Sequence, residues 1–358
     1  MEPNLIESVF QNDVSLYHRF KAVKSFGRTV RTSEYHVTNA CNIRCKGCWF
    51  FENEFEKKSK ENKSQDDLDA FVRSEVARGI NSALLIGGEP TLFVRRIQTY
   101  VEHMKYVSVS TNGLAPLPYA GFENVQVFIS LFGGGSLDDE LRAIKPGGGR
   151  FTGLFDQALK HYRYDERATF VYAITEAGIE HIEETVRKIK DNGNKVSFNF
   201  YSHYDQDDPL KMEYEERLLA EALRVKENYP ATVLSTPYYI RAIITGKSHW
   251  DSFSYENCPS ISVDHPAHED RLRNGNRALP LFNTYAPDLK TVNFCCTSGS
   301  CGDCRDSQAL YSWLLVSSQH FMDTYENAKA WVELAESYWQ QHVWSPFRVE
   351  PKRLLVSA

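Results

Sequence analysis

Between residues 34 and 201 short apolar runs alternate with segments of helical period, six times in succession. The runs lie near Tyr35–Val37, Ala83–Ile86, Val107–Ser110, Val125–Leu131, Thr169–Ile174 and Val196–Tyr201, and their length and composition read as strands. Strands that alternate with helices build repeated βα units and a parallel sheet. The helical segments are legible too. Ser64 is placed to cap a stretch in which Leu68, Phe71, Val72 and Val76 share one face and which Gly79 ends. Similar segments run over Phe93–Met104, Phe151–His161 and Ile179–Asn192, the last closing at Asn192-Gly193. Right-handed crossovers wind such units into a barrel, and six are too few for a closed eight-fold one. The expected fold is therefore α/β, an open partial (β/α)6 barrel followed by a cysteine-containing C-terminal subdomain.

Beyond residue 201 the pattern weakens. A polar stretch, HYDQDDP, leads into a helix over Glu213–Tyr229 and then into Pro-, Asn- and Gly-rich sequence, and Tyr325–Val343 reads as a terminal helix anchored by Trp331, Leu334 and Trp339. The expected division is an N-terminal segment (1–33), the barrel (34–210) and a C-terminal extension (211–358) whose metal-binding region spans about 258–304. No internal repeat or low-complexity tract interrupts it.

With 358 residues and 42% hydrophobic content the chain is long enough to bury a large core. A net charge of -6 offers no basic face to nucleic acid or to an anionic membrane, so a small or peptide substrate is the expected partner. There is no run of about 18 apolar residues, and the N-terminus lacks a basic, then apolar, signal pattern. A cytoplasmic location is expected.

In a reducing cytosol clustered cysteines are metal ligands or redox groups rather than disulfides. The eight here fall at 41, 45 and 48, at 258, and at 295, 296, 301 and 304, which implies two sites or one site with a satellite. In CNIRCKGC the thiols of Cys41, Cys45 and Cys48 can wrap three corners of an iron–sulfur cube and leave the fourth iron open to a small chelating molecule. A zinc loop completed by a distant fourth ligand is the alternative on spacing alone. The loop follows the first strand and so sits at the mouth of the barrel, where βα loops carry chemistry.

In this order of motifs the chain resembles the radical S-adenosylmethionine (radical SAM) superfamily over residues 34–201. The triplet matches the family's CxxxCxxC, and Gly87-Gly88-Glu89-Pro90 after the second strand is similar to its GGEP motif, where backbone meets the amino group of the methionine moiety. Two glycines permit close backbone approach, and a carboxylate suits an ammonium. Ser110 and Asn112 at the end of the third strand and Ser130 on the fourth resemble positions contacting the methionine carboxylate and the ribose, and Arg142 is similar in placement to a partner of that carboxylate. Ser130 and Asn112 also suit helix caps. Phe132-Gly133-Gly134 departs from the acidic residue the family often has there. Trp49 and Phe50 stand where the family often has an aromatic near adenine, or in the core.

The resemblance implies a [4Fe–4S] cluster that binds S-adenosylmethionine, a one-electron donor such as flavodoxin or ferredoxin, and a 5'-deoxyadenosyl radical that removes hydrogen from an unactivated carbon. Epimerisation, elimination, rearrangement or carbon–carbon bond formation on a small metabolite or natural product then follows. A peptide maturase is the rival enzyme reading, and a zinc-stabilised non-catalytic binding protein is the reading from another class. Barrel-facing polar residues on the late strands, such as Tyr172, Asn199 and Tyr201, are candidates for substrate selectivity.

Cys258, Cys295, Cys296, Cys301 and Cys304 form a second constellation that loosely resembles the twitch and SPASM extensions of the same superfamily, with fewer cysteines than the full SPASM pattern. Five thiols exceed a four-ligand site, and adjacent residues point in different directions, so one of Cys295 and Cys296 is spare. An auxiliary [4Fe–4S] cluster, a structural zinc and free thiols all fit the spacing. As epimerising members of the family use a cysteine, the unligated member of the Cys295/Cys296 pair is the candidate hydrogen-atom donor.

Overall fold

The computed structural model describes residues 8–203, 207–208, 210–247, 258–297, 299–301 and 304–343. Its centre is a sheet in which β1 (Thr32–His36), β2 (Ser82–Ile86), β3 (Tyr106–Thr111), β4 (Val125–Phe132), β5 (Ala168–Ile174) and β6 (Lys195–Phe200) pair in sequence order, all parallel. All six expected strands are present, with β1 starting three residues earlier than read. The sheet stays open. On the far side of β1 a two-residue strand, β7 (Thr284–Tyr285), pairs parallel to it, and β8 (Val292–Asn293) closes a hairpin with β7. This is the open (β/α)6 partial barrel, with a C-terminal segment adding strands beside β1.

The helices sit where the crossovers need them. α1 (Val14–Gly27) precedes the barrel, and α2 (Gln65–Ala77) begins at Ser64, whose Oγ accepts from Asp67 N at 3.1 Å, and is ended by Gly79 at φ +100°. Glu75 on α2 accepts from the hydroxyls of Tyr35 at 2.7 Å and Tyr285 at 3.2 Å, so one buried carboxylate ties the helix to β1 and β7. α3 (Val94–His103), α4 (Gly135–Arg142), α5 (Leu154–His161) and α6 (Ile182–Asp191) follow β2, β4 and β5. The segments read as starting at Phe93, Phe151 and Ile179 begin later, because 3-10 turns at Pro90–Phe93 and Glu176–His181 and the loop before Leu154 lead into them.

After β6 the chain forms α7 (Glu215–Asn228) and α8 (Pro237–Thr245), and Val196 on β6 bridges to Val233 between them. The HYDQDDP stretch lies partly outside the described residues. α9 (Ser307–Val316) and α10 (Tyr325–His342) complete the fold. Trp331, Leu334 and Trp339 are all buried, and the Trp331 indole N–H donates to Leu314 O at 2.9 Å. Arg19 of α1 pairs with Glu336 of α10 at 2.7 Å. Among the described residues no helix is long and apolar enough to cross a membrane.

Candidate active site

Successive residues of a strand face opposite sides of the sheet, and this alternation decides what lines the barrel. Glu34, Leu84, Ile86, Ser110, Phe128, Ser130, Phe132, Val171, Ala173, Ser197 and Asn199 face one cavity. Their chain neighbours Tyr35, Leu85, Val109, Ile129 and Phe198 are buried in the core outside it. Tyr172, expected to face the barrel, lies on that outer side: Val171 and Ala173 take the inward positions, and its hydroxyl donates to Gly133 O at 2.9 Å. Asn199 and Tyr201 do line the cavity, and the Tyr201 hydroxyl donates to Lys46 O at 2.7 Å.

Cys41, Cys45 and Cys48 reach the cavity from the loop after β1. That loop is clamped from both sides. Glu61 accepts from Thr38 Oγ1 at 2.8 Å and from Asn39 N at 3.0 Å, and pairs with Arg96 at 2.9 Å. Opposite, Arg44 N and Lys46 N donate to Ile144 O and Leu141 O at 2.7 and 2.8 Å. Burial pushes the Cys41 thiol up to about 11 and the Cys48 thiol to about 12. It raises Cys45 as well, against the opposing pull of the neighbouring Arg142 guanidinium. Buried thiols in this state become thiolates when a cation joins them. Trp49 and Phe50, directly after Cys48, also line the cavity.

Gly87 and Gly88 are required by the approach of this loop. A Cβ on Gly87, at φ +126°, would meet Thr38 O at 2.7 Å, and one on Gly88 would meet Ala40 O at 2.1 Å. Instead Gly88 N and Glu89 N donate to Thr38 O and Ala40 O at 2.9 and 2.8 Å. The Glu89 carboxylate, 1% exposed, is engaged by the protein: Oε1 accepts from Thr91 N, Thr91 Oγ1 and Thr111 Oγ1 at 3.1, 2.7 and 2.7 Å, and Oε2 from Asn112 N at 2.7 Å. Pro90 starts the following 3-10 turn. Asn112 Nδ2 donates to Asn42 Oδ1 at 2.7 Å, linking the end of β3 to the cysteine loop, and Asn112 caps no helix.

Arg142, 2% exposed, donates from Nη1 to Ser130 O at 2.5 Å and pairs with Asp138 at 3.3 Å. Its Nε has no hydrogen-bond partner among the described residues. Ser110 and Ser130 line the cavity from mid-sheet positions, so Ser130 is no helix cap either.

The distal cysteines divide. Cys258 is held up by burial and by the nearby Cys304, Cys295 and Cys301. Backbone N–H groups already point at three of these sulfurs, from Ser260 to Cys258 at 3.3 Å, from Gly299 to Cys295 at 3.2 Å and from Asp306 to Cys304 at 3.5 Å. Of the adjacent pair, Cys296 lines the same cavity as Cys41, Cys45 and Cys48, and Cys295 does not. Among the described residues no three His, Cys, Asp or Glu side chains are drawn together as ligands of a single ion.

Among the cavity residues that carry no motif are Glu34 on β1, Asp306 before α9, and Gln341 and His342 at the end of α10. Burial and the charge of Asp306 hold the Glu34 carboxyl well above the usual range. Alternation from Tyr35 is the one signal that points Glu34 inward, and the apolar run that marks β1 in the sequence, Tyr35–Val37, starts after it.

A family model described as the radical SAM superfamily matches residues 35–208. The GTP 3',8-cyclase of Geobacter sulfurreducens is 31% identical over 117 residues, 29% of this chain and 36% of that protein. The GTP 3',8-cyclase of Alkaliphilus oremlandii is 27% identical over 136 residues, 34% of this chain and 41% of that protein. The matched region therefore spans less than half the length of these relatives. The solved structure of native anSMEcpe with bound AdoMet and Cp18Cys peptide superposes with a TM-score of 0.50 at 15% identity, covering 74% of this chain and 73% of that one, and shows the shared fold. With the domain match, the curated relatives and the open barrel in agreement, residues 35–208 form a radical SAM domain, and the chain that carries it is an enzyme.

Proposed function

We propose that the protein binds S-adenosylmethionine at a [4Fe–4S] cluster held by Cys41, Cys45 and Cys48, cleaves it reductively, and uses the product to take hydrogen from a small-metabolite or natural-product substrate. The observation that carries this reading is one cavity lined by the three loop thiols, by Gly87, Gly88 and Glu89, by Ser110, Asn112, Ser130 and Arg142, and by Cys296. The family brings the cluster and S-adenosylmethionine, and the residues suit both. Three part-buried thiols on one loop would leave one iron without a protein ligand, and the orphaned Arg142 Nε is a buried donor in want of an acceptor. When bound, the pair supplies a 5'-deoxyadenosyl radical after a one-electron donor of the flavodoxin or ferredoxin class has delivered its electron.

The chain's own residues then have distinct tasks. The clamp of Glu61, Arg96 and the carbonyls of Leu141 and Ile144 fixes the cysteine loop. Glu89 binds β2 to β3 and so positions Asn112, with its carboxylate committed to protein donors. Arg142 and Asn112 are placed to hold the methionine carboxylate, while Trp49 and Phe50 wall off water. Cys296 is the candidate donor of a hydrogen atom to the substrate radical. The thiyl radical it would leave returns to thiol by taking one electron from the external donor and one proton from solvent. Cys258, Cys295, Cys301 and Cys304 are assigned to an auxiliary [4Fe–4S] cluster, and the N–H groups aimed at three of their sulfurs support it.

The test is anaerobic purification with iron and sulfide quantification. About eight irons per chain and a brown protein support the assignment, and a colourless protein carrying zinc would replace it with the binding-protein reading.

A further inference from the structure

The cavity is lined by two sets of acidic groups with different thiol neighbours, and they are not equivalent. Glu89 is an electrostatic neighbour of Cys41 and Cys45, and its oxygens are occupied by four donors. Glu34 and Asp306 are instead neighbours of Cys296. Asp306 accepts from Gln308 N at 2.7 Å, at the start of α9. Glu34 is 2% exposed, faces the cavity, and its Oε1 has no hydrogen-bond partner among the described residues.

Nothing described in the cavity wall balances this pair. Arg142 is engaged by Asp138 and Ser130 O beside Cys45. The His342 ring is held neutral by burial. His36 Nε2 lies 4.0 Å from Glu34 Oε1, beyond hydrogen-bond distance, and burial keeps that ring neutral too. A buried carboxylate with an open oxygen and no counter-charge is costly until a cationic donor reaches it. A protonated amine or guanidinium supplies both the positive charge and the N–H donors that such an oxygen lacks.

We propose that Glu34 and Asp306 form the recognition site for a protonated amine or guanidinium on the substrate, beside Cys296. This rests on the proposed function for the identity of the cavity as a substrate chamber. The group is distinct from the methionine moiety, whose expected partners are Asn112 and Arg142.

The test uses the anaerobically reconstituted enzyme saturated with S-adenosylmethionine, titrated by saturation-transfer NMR with n-butylammonium and with its neutral counterpart 1-butanol. Saturable butylammonium binding, at least about tenfold tighter than that of 1-butanol, is expected, and Glu34→Gln should weaken the amine by about tenfold while Glu34→Asp keeps part of it. Should Glu34→Gln fail to fold, the amine-to-alcohol ratio in wild type and in Asp306→Asn carries the test. Equal binding of amine and alcohol, no saturable amine binding, or displacement of the amine by S-adenosylmethionine would each overturn the proposal. Wild type that binds the amine but never forms 5'-deoxyadenosine would sink the proposed function and not this subsite. Wild type that cleaves S-adenosylmethionine and ignores the amine would do the reverse.

Discussion

Cys295 and Cys296 are adjacent in the chain and turned to different surroundings. The Cys295 sulfur accepts from Gly299 N at 3.2 Å and lies near Cys301, whereas Cys296, which shares Cys258 as a neighbour, opens onto the cavity shared with Cys41, Cys45 and Cys48. Iron content should separate them. Cys295→Ala should lose about four of roughly eight irons, while Cys296→Ala should keep all of them. Equal iron loss in the two variants would remove the distinction.

The glycine pair after β2 makes a steric prediction. Gly88→Ala places a methyl 2.1 Å from Ala40 O, a backbone atom that cannot move without dragging the cysteine loop. A loss of about 3 kcal/mol in urea unfolding and a fall in bound iron are expected. Gly147→Ala, where a Cβ meets nothing within 4 Å, should stay within about 0.5 kcal/mol of wild type.

Glu89 gives a second stability test. Glu89→Ala strands the donors of Thr91, Thr111 and Asn112 in a buried place, at a cost on the order of 3 kcal/mol. Denaturant titration at neutral pH checks it. A cost near zero would mean that these donors find other acceptors.

His36 predicts a pH dependence. Burial, reinforced by Lys58, lowers its pKa to about 3, and its ring sits among Trp49, Phe50 and Phe55. The unfolded chain, with the ordinary value near 6.5, binds the proton first, so stability is complete above that value and falls as pH drops toward 3. Between pH 7.5 and 5.5 this group alone accounts for a loss of about 1.4 kcal/mol. His36→Phe should flatten the acid limb of the stability profile by that amount, and an unchanged limb would show that the ring is already protonated or solvated.

The barrel is legible because most of its strands are short runs rich in apolar and β-branched residues, bounded by glycine and helix caps, as at Ser64 and Gly79. β7 and β8, two residues each, carry no period at all. α8 escaped because Tyr239, Ile240, Ala242, Ile243 and Ile244 bury nearly every side of it, leaving no polar face to mark the turn. In the site, the cysteine triplet and Gly87–Pro90 are visible as motifs. Tyr172 was misplaced because inward and outward depend on a register that spacing does not reveal, and one residue reverses it. Glu34 and Asp306 are single carboxylates in unremarkable sequence, and only the fold brings them to Cys296.

The central claim is that the loop of Cys41, Cys45 and Cys48 supports reductive cleavage of S-adenosylmethionine. The direct measurement is 5'-deoxyadenosine formed after dithionite reduction by the reconstituted wild type and by the Cys41/Cys45/Cys48→Ala variant. Wild type should form it, and the variant should form none while keeping about four irons. Product from the variant, or none from an iron-replete wild type, would contradict the account.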